Sequence, residues 1–179
     1  MPTFQVSFIS LHLSQHNDMF IKSCSLLLLF SFVLISSCGD DEDSGPKYEF
    51  KNQSLQGQIE GETWVFSSGI AEVSFFEETD LSFELSSETF EDPCAEFILD
   101  GQKLLFDIPA VVGVYELSFS ENGHTVTLYN PDTNLNSIAV SGAVEILTIT
   151  ETEVTGRIDA RADSETFANG NFTVPYCAD

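Results

Sequence analysis

The side chains able to do chemistry in this sequence are four cysteines, three histidines and a large excess of acids. His12 and His16 fall within the first eighteen residues, which leaves His124 alone in the rest of the chain. His124 directly follows Asn122-Gly123, a turn pair, so an exposed turn residue is expected there rather than a general base. There is no G-x-S-x-G, no H-E-x-x-H and no cysteine beside a second histidine, so no nucleophile meets a base along the chain. Zinc needs four soft ligands; without a C-x-x-C and with one histidine they cannot be gathered without carboxylates. Carboxylates are the remaining resource: Glu77-Glu78-Asp80, Glu91-Asp92, and Asp132 between Asn130 and Asn134 each put oxygens on an expected loop. With 28 of the 29 acids lying between Asp40 and Asp179, adjacent pairs arise by chance. Asn130-Pro131-Asp132-Thr133-Asn134 reads as an Asx-type turn and not a calcium loop, because the spaced D-x-D-x-D-G pattern with its terminal Glu is missing. No catalytic, metal or cofactor-binding residue is assigned.

Six Lys and Arg against 29 Asp and Glu give a net charge of −23. Such a chain has nothing to replace the counterions of DNA or RNA, so nucleic acid is excluded as a partner, and anionic lipid cannot hold it by charge. Attachment by other means is written near the N-terminus. Met19-Phe20-Ile21-Lys22 precedes the apolar run Leu26 to Ile35, broken only by Ser31, and Ser36-Ser37-Cys38 ends it. A positive n-region, a short apolar h-region and small residues before a cut describe an export signal, and the run is well short of the ~20 residues that span a bilayer. Ile35-Ser36-Ser37-Cys38 resembles the lipobox of bacterial lipoproteins. The resemblance implies a diacylglyceryl group on the Cys38 thiol, cleavage before it and acylation of the new amine; more than one chain, at ~0.8 kcal/mol per buried CH₂, anchors stably. Residues 19–37 are then the expected signal peptide, and 1–18 a mis-assigned extension ahead of a start at Met19. Residues 38–47, with Gly39-Asp40-Asp41-Glu42-Asp43-Ser44-Gly45-Pro46, form an acidic tether. Cys38 followed by acids is similar to the surface-export signal of Bacteroidota lipoproteins, although Gly39 stands where Ser, Gln or Lys is commoner, so surface and periplasmic placement both stay open. The expected location is the outer membrane, through lipidated Cys38.

With Cys24 removed and Cys38 lipidated, Cys94 and Cys177 remain, and an exported pair in an oxidising compartment is expected to form a disulfide.

These residues need a scaffold, and from Lys47 onward the apolar period is two. Leu81, Phe83 and Leu85 alternate with Ser82, Glu84 and Ser86; Tyr115, Leu117 and Phe119 alternate with Glu116, Ser118 and Ser120. Between Val154 and Asp163 one face carries Val154, Gly156, Ile158, Ala160 and Ala162, and the other, expected to be wet, carries Thr155, Arg157, Asp159, Arg161 and Asp163. Asn122-Gly123 predicts a hairpin joining a strand that ends near Ser120 to Thr125–Tyr129, and Asp100-Gly101 is a second turn. Further strands are expected over 55–59, 62–66, 70–76, 137–150 and 167–176, about nine or ten in all, with only a short helical turn within 93–99. The fold class is therefore all-β: one domain over 48–179, an antiparallel meander forming a β-sandwich or flattened barrel, with a lipocalin-like up-and-down barrel as the alternative.

The series Gly57 to Trp64, Gly113 to Leu117, Gly142 to Ile146 leading to Val154-Thr155-Gly156, and Gly170 to Val174 is similar to small β-rich lipoproteins of the Bacteroidota, classed as domains of unknown function. The resemblance implies a fold and no chemistry. Trp64 is expected to plug the core rather than to stack on a sugar. Two functions of different class follow: a non-enzymatic surface-exposed or periplasmic binding module for an unknown protein or glycan, or a carboxylate-based glycan hydrolase. The second requires two acids facing a cleft at ~5 to 9.5 Å.

Overall fold

Period-two alternation becomes eleven strands in the computed structural model, which describes residues 47–96 and 98–177. Cys38, the leader and the tether up to residue 46 lie outside the described residues. Strands β1 (Gln56–Ile59) and β2 (Glu62–Val65) make a first hairpin; β3 (Ser68–Val73), β4 (Asp80–Ser86) and β5 (Lys103–Pro109) make a meander. A short β6 (Gly113–Glu116) precedes the hairpin of β7 (Val126–Asn130) and β8 (Leu135–Ala139). A second meander, β9 (Ser141–Ile149), β10 (Glu153–Arg161) and β11 (Phe167–Cys177), completes the domain, and Pro93–Ala95 forms a 3-10 turn.

The strands hydrogen-bond in the order β6-β9-β10-β11-β3-β4-β5-β7-β8, with β1 attached to β11 and carrying β2. This sheet curls around a single core, the all-β architecture expected of a sandwich or flattened barrel. The inner faces of its two halves meet at an aromatic cluster. Phe83 and Phe106 stack at 4.7 Å, and Phe172 of the other half stands edge-on to them at 5.9 and 6.4 Å. Trp64 is 1% exposed in that core and its Nε1 donates to the Gln102 carbonyl at 2.9 Å. It is a core residue with its one polar atom satisfied, as buried tryptophans require.

Several expectations are corrected. The order is not that of an up-and-down barrel, in which each strand would pair with its successor. β11 pairs with β10 through most of its length, then adds Tyr176 and Cys177 alongside Ala71 and Glu72 of β3 in parallel. The expected strand over 137–150 is two strands that bend at Val140 and serve different halves of the sheet. β5 is not among the expected strands, although Leu104, Phe106 and Ile108 alternate; it is central, and those three residues face the core. The strand expected over 70–76 stops at Val73.

The Asn122-Gly123 hairpin does not form, because Tyr115 of β6 aligns with Val144 of β9 and not with β7. Neither Asn122 nor Gly123 has a positive φ. Gly123 is required for another reason: a Cβ there would sit 2.3 Å from the Ser118 carbonyl oxygen. The positive-φ pair that makes a two-residue hairpin turn is Glu60 and Gly61, at φ 54° and 79°, between β1 and β2.

The polar face of β10 is wet only in part: Arg161 and Asp163 are exposed and Thr155 and Arg157 half-buried, but Asp159 is covered. The segment before β1 lies across this face as a strap. Asp159 accepts from the Glu49 N–H at 2.9 Å; Asn169 accepts from the Lys51 N–H at 2.9 Å and donates to the Glu49 carbonyl at 2.8 Å. Arg161 Nη2 donates to the Lys47 carbonyl at 2.7 Å, and the Arg157 guanidinium lies 4.5 Å from the Phe50 ring centre. Asp159 is left 4% exposed. A strap held backbone-first by side chains needs no alternation of its own, so the sequence does not announce it.

Candidate functional site

On the outer face of β3, β4, β5 and β7 lies a cleft of about 460 Å³. Register builds it. Glu72, Ser82 and Asp107 align across β3, β4 and β5, and in the next row Ile70, Glu84, Leu105 and Thr127 align across to β7. The apolar floor is Ile70 and Leu105. β7 pairs with β5 only from Lys103 to Leu105, so beyond that point the chain at Gly123 and His124 diverges and walls the cleft.

His124 is thus half-buried in a wall and not an exposed turn residue. Its ring stands edge-on to Tyr115 with centroids 5.3 Å apart, and its carbonyl accepts from the Ser118 N–H at 2.8 Å. Tyr115 donates its hydroxyl to the Val111 carbonyl at 2.6 Å. Burial, and then the nearby negative charge of Asp80, push its pKa above the ordinary value of 10.0.

The polar groups of the cleft are largely engaged with one another. The Ser82 hydroxyl donates to the Asp107 carboxylate. Glu84 accepts from the Leu99 N–H at 3.1 Å and from Lys103 Nζ at 2.6 Å, and the same ammonium donates to the Leu99 carbonyl. With side chains 7% and 15% exposed, Lys103 and Glu84 form a nearly buried ion pair that fastens the end of the β4–β5 loop to the sheet. Glu72 and Asp107 are the exposed carboxylates of the set.

The acids that the sequence singled out lie elsewhere. Glu77 and Glu78 are exposed on the β3–β4 loop with Asp80 at the start of β4, and Glu91 and Asp92 are exposed before the 3-10 turn. Asn130 accepts from the Asp132 N–H at 3.1 Å, an Asx turn, and donates to Glu60 at 2.6 Å; Thr133 donates to the same Glu60 oxygen at 2.6 Å, and Asn134 takes a left-handed φ of 54°. Among the described residues no group of three or more His, Cys, Asp or Glu is arranged to hold a metal. Cys94 and Cys177 form a disulfide across 83 residues with Cα atoms 5.5 Å apart, tying the β4–β5 loop to the end of β11.

Sequence reasoning missed Glu72, Ser82, Glu84 and Asp107 as a group. Alternation puts Ser82 and Glu84 on one polar face, but only the strand order makes Glu72 and Asp107 their neighbours. Comparisons of the chain with protein-family models, curated proteins and solved structures found no match.

Proposed function

We propose that the chain is an exported lipoprotein anchored in the outer membrane through Cys38, and that its β-domain is a binding module rather than an enzyme. The leader and lipobox support the anchor, and the likeness to small β-rich lipoproteins of the Bacteroidota agrees with it. The observation that carries the binding reading is the engagement of the cleft: Ser82 is spent on Asp107, and Glu84 on Lys103 and the Leu99 N–H. Groups tied into the scaffold shape and charge a surface, whereas catalytic acids must exchange protons with a substrate.

The test is a glycan-hydrolysis panel on the detergent-extracted lipoprotein beside its Asp107→Asn variant. No turnover by either is expected. A second reading, glycan hydrolysis, is favoured by one feature: Glu84 and Asp107 are diagonal cross-strand neighbours on the cleft. The backbones at such positions lie roughly 7–8 Å apart, which lets the two carboxyl groups reach the ~6.5–9.5 Å separation of inverting glycosidases. Hydrolysis by the native protein that vanished in Asp107→Asn would establish that reading and overturn ours. The anchor is checked separately, by metabolic labelling with a fatty-acid analogue: label is expected on the native protein and absent from Cys38→Ala.

A further inference from the structure

The two ends of the β-domain differ. At one end the β1–β2, β7–β8 and β10–β11 turns are bound together: the Gly61 N–H donates to the Glu165 carbonyl at 2.8 Å, the Glu60 N–H to Thr166 Oγ1 at 3.1 Å, and the Glu60 carboxylate takes Asn130 and Thr133. Lys47, where the described chain begins, is held at this end by Arg161, the last residue of β10. At the opposite end the β3–β4 and β5–β6 loops adjoin, with Asp80 opposite Pro109 and the Ala110 N–H donating to the Thr79 carbonyl at 2.9 Å. These two loops present Phe75 at 94% exposure, Phe76 at 83%, Val111 at 61% and Val112 at 58%. Phe75 and Phe76, edge-on to each other at 5.6 Å, and the two exposed valines of the adjoining loop form an apolar end of the kind that marks an interaction site.

Charge narrows the occupant. Glu77, Glu78 and Asp80 follow the phenylalanines, and Glu151 and Glu153 lie at the β9–β10 turn, which the Tyr176 N–H ties to the same end through the Thr152 carbonyl at 3.0 Å. No Lys or Arg lies in residues 74–80, 110–113 or 150–153. Beyond the leader the basic residues are Lys47 and Lys51 of the strap, and Lys103, Arg157 and Arg161, each of these three paired with an acid. An apolar patch with an uncompensated acidic rim complements a protein surface that carries Lys and Arg around an apolar pocket.

Reach argues against the bilayer as occupant. The eight residues between Cys38 and Lys47 let the chain span about 30 Å at most. β11, which runs from the Lys47 end to the patch end, has 11 residues, or about 33 Å along the strand. A membrane holding Cys38 meets the patch only with the tether fully stretched along the fold, and the acidic rim opposes anionic lipid.

We infer that the loop end bearing Phe75, Phe76, Val111 and Val112 is the docking surface of the module, for a protein partner whose contact carries basic residues around an apolar pocket. This rests on the binding-module reading and names its surface. The experiment places a photo-crosslinking amino acid at Val112 in the full lipidated chain in its native envelope, with the same residue at Thr133 as the opposite-end control. A Val112-specific adduct is expected, mapping to a Lys- or Arg-bearing segment of another protein. It should fall about fivefold in Glu77→Gln/Glu78→Gln and again at high salt, and be lost in Phe75→Ser/Phe76→Ser with the melting temperature unchanged. Adducts to lipid or to a second copy of the chain, equal adducts from Thr133, insensitivity to the variants, or no adduct would each overturn the inference. Fatty-acid label on Cys38 in the same cells separates the causes: labelled chain without a Val112 adduct rejects the docking surface, whereas unlabelled chain rejects the anchor.

Discussion

Removing the Cys94–Cys177 crosslink, by reduction or as Cys94→Ser/Cys177→Ser, tests how the last strand is held. Cys94 is exposed and Cys177 half-buried, so the substitution takes little packing from the core and isolates the crosslink. The bond spans 83 residues. In the chain-entropy model a loop of that length restricts the unfolded chain by about 4–5 kcal/mol. Locally it secures the parallel addition of β11 to β3, which has only two aligned pairs, Tyr176 with Ala71 and Cys177 with Glu72. Urea unfolding followed by Trp64 fluorescence is the assay. With a urea dependence of about 2 kcal/mol per molar, the midpoint should fall by roughly 2 M. Hydrogen exchange should rise first at Tyr176 and Cys177. A midpoint shift below about 0.5 M, or two thiols that alkylate freely in the native oxidised protein, would refute the reasoning.

Ionising Tyr115 opposes the fold, since its folded pKa is raised by burial and by Asp80. Its contribution is complete below the unfolded value near 10 and is lost as pH rises through the folded value; urea midpoints from about pH 8 to 11 should fall less steeply in Tyr115→Phe. Glu84→Gln leaves Lys103 nearly buried without its counter-charge and should cost about 3 kcal/mol, while Glu84→Leu/Lys103→Met should recover much of it in the same titration. Phe172→Ala removes the aromatic ring that joins the two halves of the sheet, and thermal unfolding should report a loss of about 3–5 kcal/mol. Gly61→Val puts a β-branched residue at a φ of 79° and should destabilise the β1–β2 hairpin by about 1–3 kcal/mol, seen as a lowered melting temperature.

The sequence by itself determined the all-β class, because alternation along 81–86 and 154–162 is local and period-two burial has one structural solution. It also pointed to the Cys94–Cys177 pair, on the expectation that Cys24 and Cys38 belong to the leader and lipobox, and to the core role of Trp64. Tertiary structure alone decided which strands are neighbours. β6 pairs with β9 rather than with β7, and β11 reaches β3, because register over the core outweighs a local turn preference such as that of Asn122-Gly123. The same holds for exposure. Asp159 and Asn169 alternate as surface residues and are buried by a strap whose residues bond through backbone. Glu72 and Asp107 come from separate strands to either side of Ser82, and Phe75 and Phe76, apolar enough to extend a strand, stand bare on a loop. Periodicity states which face of a strand a residue occupies; what lies over that face comes from residues far away in the chain.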